Sequence, residues 1–228
     1  SDLRRQRQMC IRDSYHICFS KNLMDLKLIY GNMRALCEAP QMMLHYADIP
    51  YEYKMVWDHY GSSWAEVKKD IIFNRLPILI INEDKYLWQS NTIIRYLSNL
   101  TKTKPSDEFQ LAYCDAVFES THEMFSPLNP TINMTFGEKY NSNKKKLLED
   151  ILPNSLNNFE KLLQNSSGNF FIGNDPYYCD FNAYHHFSMC LIIDKNIFSN
   201  FPNLKKFINN FEKLNNIKNY LDGRPELV

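Results

Sequence analysis

The succession of hydrophobic periods along the chain limits its fold more than any single motif does. From Leu26 to about Leu100 the apolar residues switch between a period of two and a period near 3.6, whereas beyond Asp107 only the helical period persists. Leu26-Lys27-Leu28-Ile29-Tyr30 reads as a short strand ending at a glycine. Ala35 to Tyr46 reads as a helix, with Pro40 in or near its first turn, where a missing N–H is harmless. Tyr51 to Val56 alternates as a second strand, and Trp64 to Asp70 reads as a short helical piece. Ile78 to Ile81 is a buried strand, joined through the polar turn Asn82 to Lys85 to its partner Tyr86 to Trp88. Gln89-Ser90 then opens a helix over Asn91 to Leu100, and Ser90 suits the N-cap. The order is βαβαββα.

Thr101 to Asp107 reads as a polar, proline-containing linker. After it, Phe109 to Phe125, Lys144 to Leu163, Phe181 to Ile193 and Asn203 to Leu214 place apolar residues at helical spacing. Pro153 predicts a kink or break in the second of these, and Asn141 to Lys146 reads as solvated loop and helix start. The expected organisation is a small α/β domain over residues 26–101 and an all-helical domain over residues 107–228. Residues 1–25 show neither period and are expected to be a disordered tail outside the fold.

Charge and cysteine content narrow the function. Lys plus Arg and Asp plus Glu each total 26, so no long-range field draws the chain to nucleic acid or an anionic membrane. No apolar run is long enough to span a bilayer, and no apolar signal core stands at the N-terminus. Cys10, Cys18, Cys37, Cys114, Cys179 and Cys190 are scattered, without the close pairs of a zinc site or a disulfide framework. The expectation is a cytoplasmic protein with reduced thiols and a small-molecule partner.

Four features of the first unit point to chemistry, although each has an ordinary reading. Tyr30 at the end of a strand can donate a hydrogen bond to a thiolate, or simply close the strand as a half-buried aromatic. Trp64 and Lys68, one helical turn apart, can present an N–H and an ammonium to one anion, or form an amphipathic surface pair. Pro77 before an apolar strand can be cis and offer the backbone of Leu76 to an extended peptide, against the commoner trans isomer. Ser90 at a helix start offers a hydroxyl and free amides to a carboxylate, or acts only as a cap.

In order and spacing these features resemble one family. Leu28-Ile29-Tyr30-Gly31-Asn32-Met33-Arg34-Ala35-Leu36-Cys37-Glu38, followed by Tyr46-Ala47-Asp48-Ile49-Pro50-Tyr51-Glu52, resembles the opening of sigma-class glutathione transferases, the class that includes glutathione-dependent prostaglandin D synthases. Trp64-Ala65-Glu66-Val67-Lys68, Arg75-Leu76-Pro77-Ile78-Leu79 and Gln89-Ser90-Asn91-Thr92-Ile93-Ile94-Arg95-Tyr96-Leu97 continue it in register. Phe171-Ile172-Gly173-Asn174, Cys179-Asp180-Phe181, Asn219-Tyr220-Leu221 and Gly223-Arg224-Pro225 extend the likeness nearly to the end. The resemblance implies a thioredoxin-like N-terminal domain followed by an all-α domain. It implies that Tyr30 stabilises the glutathione thiolate, and that Trp64, Lys68, Asn74, Arg75, Leu76, Gln89 and Ser90 line the glutathione site with Pro77 as its cis-proline. It further implies a homodimeric detoxification enzyme with glutathione as co-substrate, no permanently bound cofactor, no metal, and no nucleic-acid or membrane partner. A small hydrophobic electrophile would lie between the domains near Gly31 and Met33. The alternatives are a prostaglandin D synthase-type isomerase, whose aromatic lipid anchor is absent near Pro130, and a non-catalytic glutathione- or ligand-binding relative.

The chain departs from the family at particular positions. Leu36 replaces an arginine near the sulfur, which removes a polar neighbour of the thiolate. Glu123 stands where an aspartate usually reaches across the dimer to the γ-glutamyl amine. Tyr177 replaces the Ser or Thr that caps the central helix of the second domain. Asp115, Glu119 and His122 share a helix face that suits a divalent metal or, more simply, a solvated or interface stripe. Adjacent His185 and His186 point about 100° apart, a poor geometry for joint ligation. Cys37, near a helix N-terminus, is the rival nucleophile, although a packing cysteine is the simpler reading.

Overall fold

The computed structural model describes residues 24–225, so most of the expected tail lies outside the described residues. The chain is already ordered at Asp25, whose amide donates to Asn82 Oδ1 at 3.0 Å and whose carbonyl accepts from Asn82 N at 2.9 Å. Four strands, β1 (Leu26–Tyr30), β2 (Glu52–Met55), β3 (Ile78–Ile81) and β4 (Lys85–Trp88), form one sheet in the order β2-β1-β3-β4. β1 runs parallel to β2 and antiparallel to β3. A single turn over Ala35–Cys37 leads into α1 (Glu38–Tyr46), which supplies the crossover that parallel strands need.

The period of two decides what each sheet face meets. Leu26, Leu28, Leu79 and Ile81 point to a core shared with Met42, Met43 and Leu44 of α1 and with Ile93, Ile94 and Leu97 of α4 (Ser90–Leu100). The intervening Ile29, Ile78 and Ile80 point the other way, into a smaller cluster with Val56 and Ile71. That second face is covered by short pieces: α2 (Val56–Tyr60), α3 (Trp64–Val67) and two further turns, Lys68–Asp70 and Ile72–Asn74.

The remaining chain is helical. α5 (Glu108–Met134) runs well past the expected end at Phe125 and continues through Pro127 and Pro130. Those prolines remove the amide donors to the carbonyls four residues earlier, yet Thr131 Oγ1 still reaches back to Pro127 O at 2.8 Å. α6 (Gly137–Lys146) takes in Asn141 to Lys146, which sequence reading gave to loop and helix start; its three final lysines lie at the negative end of the helix dipole. The break expected at Pro153 appears as a widened π turn over Leu147–Ile151, after which Pro153 sits in the first turn of α7 (Leu152–Asn165). α8 (Tyr178–Ile193) begins three residues before the expected start and is buried along its length, leaving only Ser188, Leu191 and Ile192 outside the core. Such all-round burial explains why a helical period alone did not reveal a polar face there. α9 (Pro202–Glu212) and α10 (Asn215–Gly223) complete the fold, and α10 packs on α1 of the first unit.

The missing cap at Tyr177 is made good from within the helix. Asp180 accepts from Tyr177 N at 2.8 Å and from Phe171 N at 3.1 Å, so one carboxylate ties the helix start to the preceding loop.

Candidate active site

Strand register alone gathers the first site residues. Ile29 pairs with Ile78, and Ile78 with Trp88, so Tyr30, Pro77 and Gln89 each lie one step beyond those pairs at the same sheet end. Tyr30 is 6% exposed, and its hydroxyl accepts the Leu36 amide at 3.2 Å. Burial raises its pKa well above the ordinary tyrosine value; the Leu36 hydrogen bond opposes that rise and is the weaker effect. The phenol therefore stays protonated at neutral pH, with one lone pair occupied and its own proton free to donate.

The turn after Tyr30 is held from two sides. Tyr53 donates its hydroxyl to Gly31 O at 2.8 Å, and Arg34 Nη2 reaches Pro225 O at 3.0 Å. Leu36, missing the polar side chain expected from the family, contributes through its backbone instead. Sequence reading did not find Leu36 N–H, Tyr53 or Arg34 as site supports. An amide carries no side-chain signal, and Tyr53 reads only as an alternating strand residue.

The Leu76–Pro77 peptide is cis, and neither backbone group of Leu76 has a hydrogen-bond partner among the described residues. An extended peptide laid beside it would find a donor and an acceptor. At the neighbouring corner the assignment of Ser90 as N-cap is corrected: Gln89 occupies the cap with a positive φ of 70°, and Ser90 is the first helical residue. Ile93 N returns to Gln89 O, so the amides of Ser90, Asn91 and Thr92 are the free donors at the positive end of α4. Ser90 itself is 7% exposed.

Trp64 packs with Val67, Leu76 and Trp88 against the smaller core cluster, and Lys68 Nζ stands 6.0 Å from its ring centroid. Asn74 and Arg75 are exposed between this piece and the cis-proline, with Asn74 at a positive φ of 51°. The first unit thus brings Tyr30, Leu76, Pro77, Gln89 and Ser90 to one end of its sheet, with Trp64 and Lys68 on the flanking segment. Glu123 is not among them within a single chain. It is exposed on α5, beside a cavity of about 270 Å³ that Met124, Ile151, Asn158 and Phe159 also line.

The other candidates have ordinary duties. Asp115 and Glu119 both pair with Arg95 of α4, and Asp115 also accepts from Tyr178 OH at 2.6 Å. The stripe therefore clamps the two units together. His185 and His186 are both buried, and His186 Nδ1 lies 2.9 Å from Thr121 O. Cys37 is fully buried, and burial with Glu38 beside it raises its pKa, so the expected lowering by the helix dipole does not occur.

Known proteins with this arrangement are numerous. Residues 24–99 match the family model described as the N-terminal domain of glutathione S-transferase, and residues 122–224 match its C-terminal domain. A glutathione S-transferase of Plasmodium yoelii yoelii is 32% identical over 74% of this chain and 79% of its own length. A glutathione S-transferase P of Caenorhabditis elegans is 28% identical over 90% of this chain and 95% of its own. The solved Pi-class glutathione S-transferase of Onchocerca volvulus superposes with a TM-score of 0.76 at 25% identity, covering 87% of this chain and 93% of that one. Rat hPGDS, solved in complex with a quinoline, gives 0.78 at 25% identity over 89% and 98%. With family models matching residues 24–99 and 122–224, and relatives matched over 79% and 95% of their own length, the chain belongs to the glutathione S-transferase family.

Proposed function

We propose that this enzyme holds glutathione along the sheet end of its first unit and activates the thiol through Tyr30. The observation that carries the proposal is the Tyr30 hydroxyl, which is buried, engaged as an acceptor by Leu36 N–H, and kept protonated by its surroundings. A free thiol with a pKa of about 8.5 is mostly protonated at neutral pH. A neutral phenol donating to sulfur favours the thiolate without itself giving up a proton, and the attack then needs only a small hydrophobic electrophile nearby.

In this reading Leu76 pairs with the cysteinyl backbone beside Pro77, and Gln89 and the free amides at Ser90 take the γ-glutamyl carboxylate. Trp64, Lys68, Asn74 and Arg75 supply donors to the other carboxylate. Glu123 completes the site from a second copy, which makes the working unit a homodimer. The exposed apolar side chains Ile72 and Phe73, beside the same loop, support an interface there. Location in the cytoplasm and a role in detoxification belong to the same proposal.

Tyr30→Phe removes the donor and keeps the ring. It is expected to lower conjugation of 1-chloro-2,4-dinitrobenzene about a hundredfold, the scale of losing one preorganised donor, while glutathione affinity changes little. Turnover near the parent value would remove Tyr30 from the mechanism.

A further inference from the structure

A cavity of about 780 Å³, the size of a small-molecule site, lies wholly within the helical unit. It opens between the start of α5, the end of α7 and the loop over residues 166–177, and its lining includes no residue of the thiol site. The loop wall is held in place by its own bonds. Phe170 N donates to Gly173 O at 3.0 Å, and Phe171 N to Asp180 Oδ1 at 3.1 Å. Gly168 lies so close to Gly173 that an added Cβ would fall 2.1 Å from its carbonyl oxygen, so the loop is folded back on itself. Three aromatic side chains line the rest: Phe109, 78% exposed in the first turn of α5, Tyr113 one turn further on, and Tyr177 at the head of α8.

The electrostatics of the lining favour one sign. Asp175 is its only charged side chain, and no cation lies within ion-pair distance of it among the described residues. The carboxyl end of α7 opens onto the same space, with no basic residue in its last turn to offset the negative end of the dipole. Two helix starts at the rim would favour an anion, but both are already matched by carboxylates. Asp107 accepts from Gln110 N at 2.8 Å, and Asp180 from Tyr177 N at 2.8 Å. Lys161 and Glu108, the charged residues next along α7 and α5, are exposed and outside the lining. An unpaired carboxylate, a negative helix end and the electron-rich faces of three rings together select a cation.

We propose that this cavity is a binding site for organic cations of the aryl-alkyl ammonium class, with Asp175 as the counter-charge and Phe109, Tyr113 and Tyr177 as the aromatic walls. Calorimetric titration of the full chain with benzyltrimethylammonium tests it, with and without S-hexylglutathione present. One ion per chain should bind in both cases, and benzenesulfonate should not bind. Asp175→Asn should weaken binding about fivefold, the upper end for an exposed charge pair. Phe109→Ala should weaken it about two- to fivefold, the scale of an exposed cation–π contact. Both positions are exposed, so both variants are expected to fold, which circular dichroism checks. No heat of binding, affinity unchanged in both variants, or displacement by S-hexylglutathione overturns the proposal. Equal affinity for benzyl alcohol also overturns it, because charge then plays no part. If S-hexylglutathione itself fails to bind, the glutathione reading falls while the cation titration still decides this one.

Discussion

The two units solve the same packing problem with opposite interiors. The sheet unit keeps both of its core faces apolar, with Leu28 and Leu79 on one side and Ile29, Ile78 and Ile80 on the other, and places its polar site residues at the rim. The helical unit buries polar side chains in its middle: Thr121, Asp180, Asn182, His185 and His186 are all below 4% exposed. Asn182 donates to Thr121 Oγ1 at 2.9 Å, His186 Nδ1 lies 2.9 Å from Thr121 O, and Asp180 accepts from two amides, whereas His185 Nε2 has no hydrogen-bond partner among the described residues. Apart from Glu38 and Ser98, which are buried and bonded within the fold, a polar substitution in the first unit falls at the rim where the site residues gather, whereas in the second it falls in the core.

The strongest way to break that contrast is Asp180→Ala. Two amides, Phe171 N and Tyr177 N, lose their acceptor, and each unsatisfied buried donor costs about 1–3 kcal/mol. A stability loss of about 2–5 kcal/mol by chemical denaturation is expected, with turnover per folded molecule unchanged. A loss under 1 kcal/mol would mean that the helix start is held by packing rather than by this carboxylate.

A pH series sharpens the contrast further. Burial, with Arg224 and Arg34 adding to it, lowers the His185 pKa to about 3, against about 6.5 in an unfolded chain. Between those values the unfolded chain binds a proton that the folded chain refuses, so stability rises with pH through that window and is lost on acidification below 6.5. From pH 7 to pH 5 the parent should lose about 2 kcal/mol more than His185→Leu does, measured by urea unfolding at both values. Parallel losses would show that His185 is charged, or exposed, in the folded state.

The contrast also explains what the sequence disclosed. The gathering of Tyr30, Pro77 and Gln89 at one end of the sheet was readable because each adjoins a strand end, and strand ends follow from a period of two and from turn residues. The backbone donor at Leu36 was not readable, since it depends on where a turn places an amide. In the helical unit, neither the interhelical partners of Asp115 and Glu119 nor the burial of His185 and His186 could be assigned. A helix buried on all sides has no polar face for a 3.6 period to reveal. The length of α5 was missed because prolines usually end helices, and here Pro127 and Pro130 do not.

The smallest effect concerns the one place where the helical unit is proposed to serve chemistry. Glu123 is exposed and outside the thiol site of its own chain, so its contribution requires a second copy. A solvent-exposed charge contact contributes about 0.2–1 kcal/mol. Glu123→Gln should accordingly raise the KM for glutathione about two- to fivefold and leave kcat alone, because the amine it meets is remote from the sulfur. The same preparation should sediment as a species of two chains. Full activity in a single-chain species, with KM unmoved by the substitution, would confine the thiol site to the sheet unit and leave the helical unit as support alone.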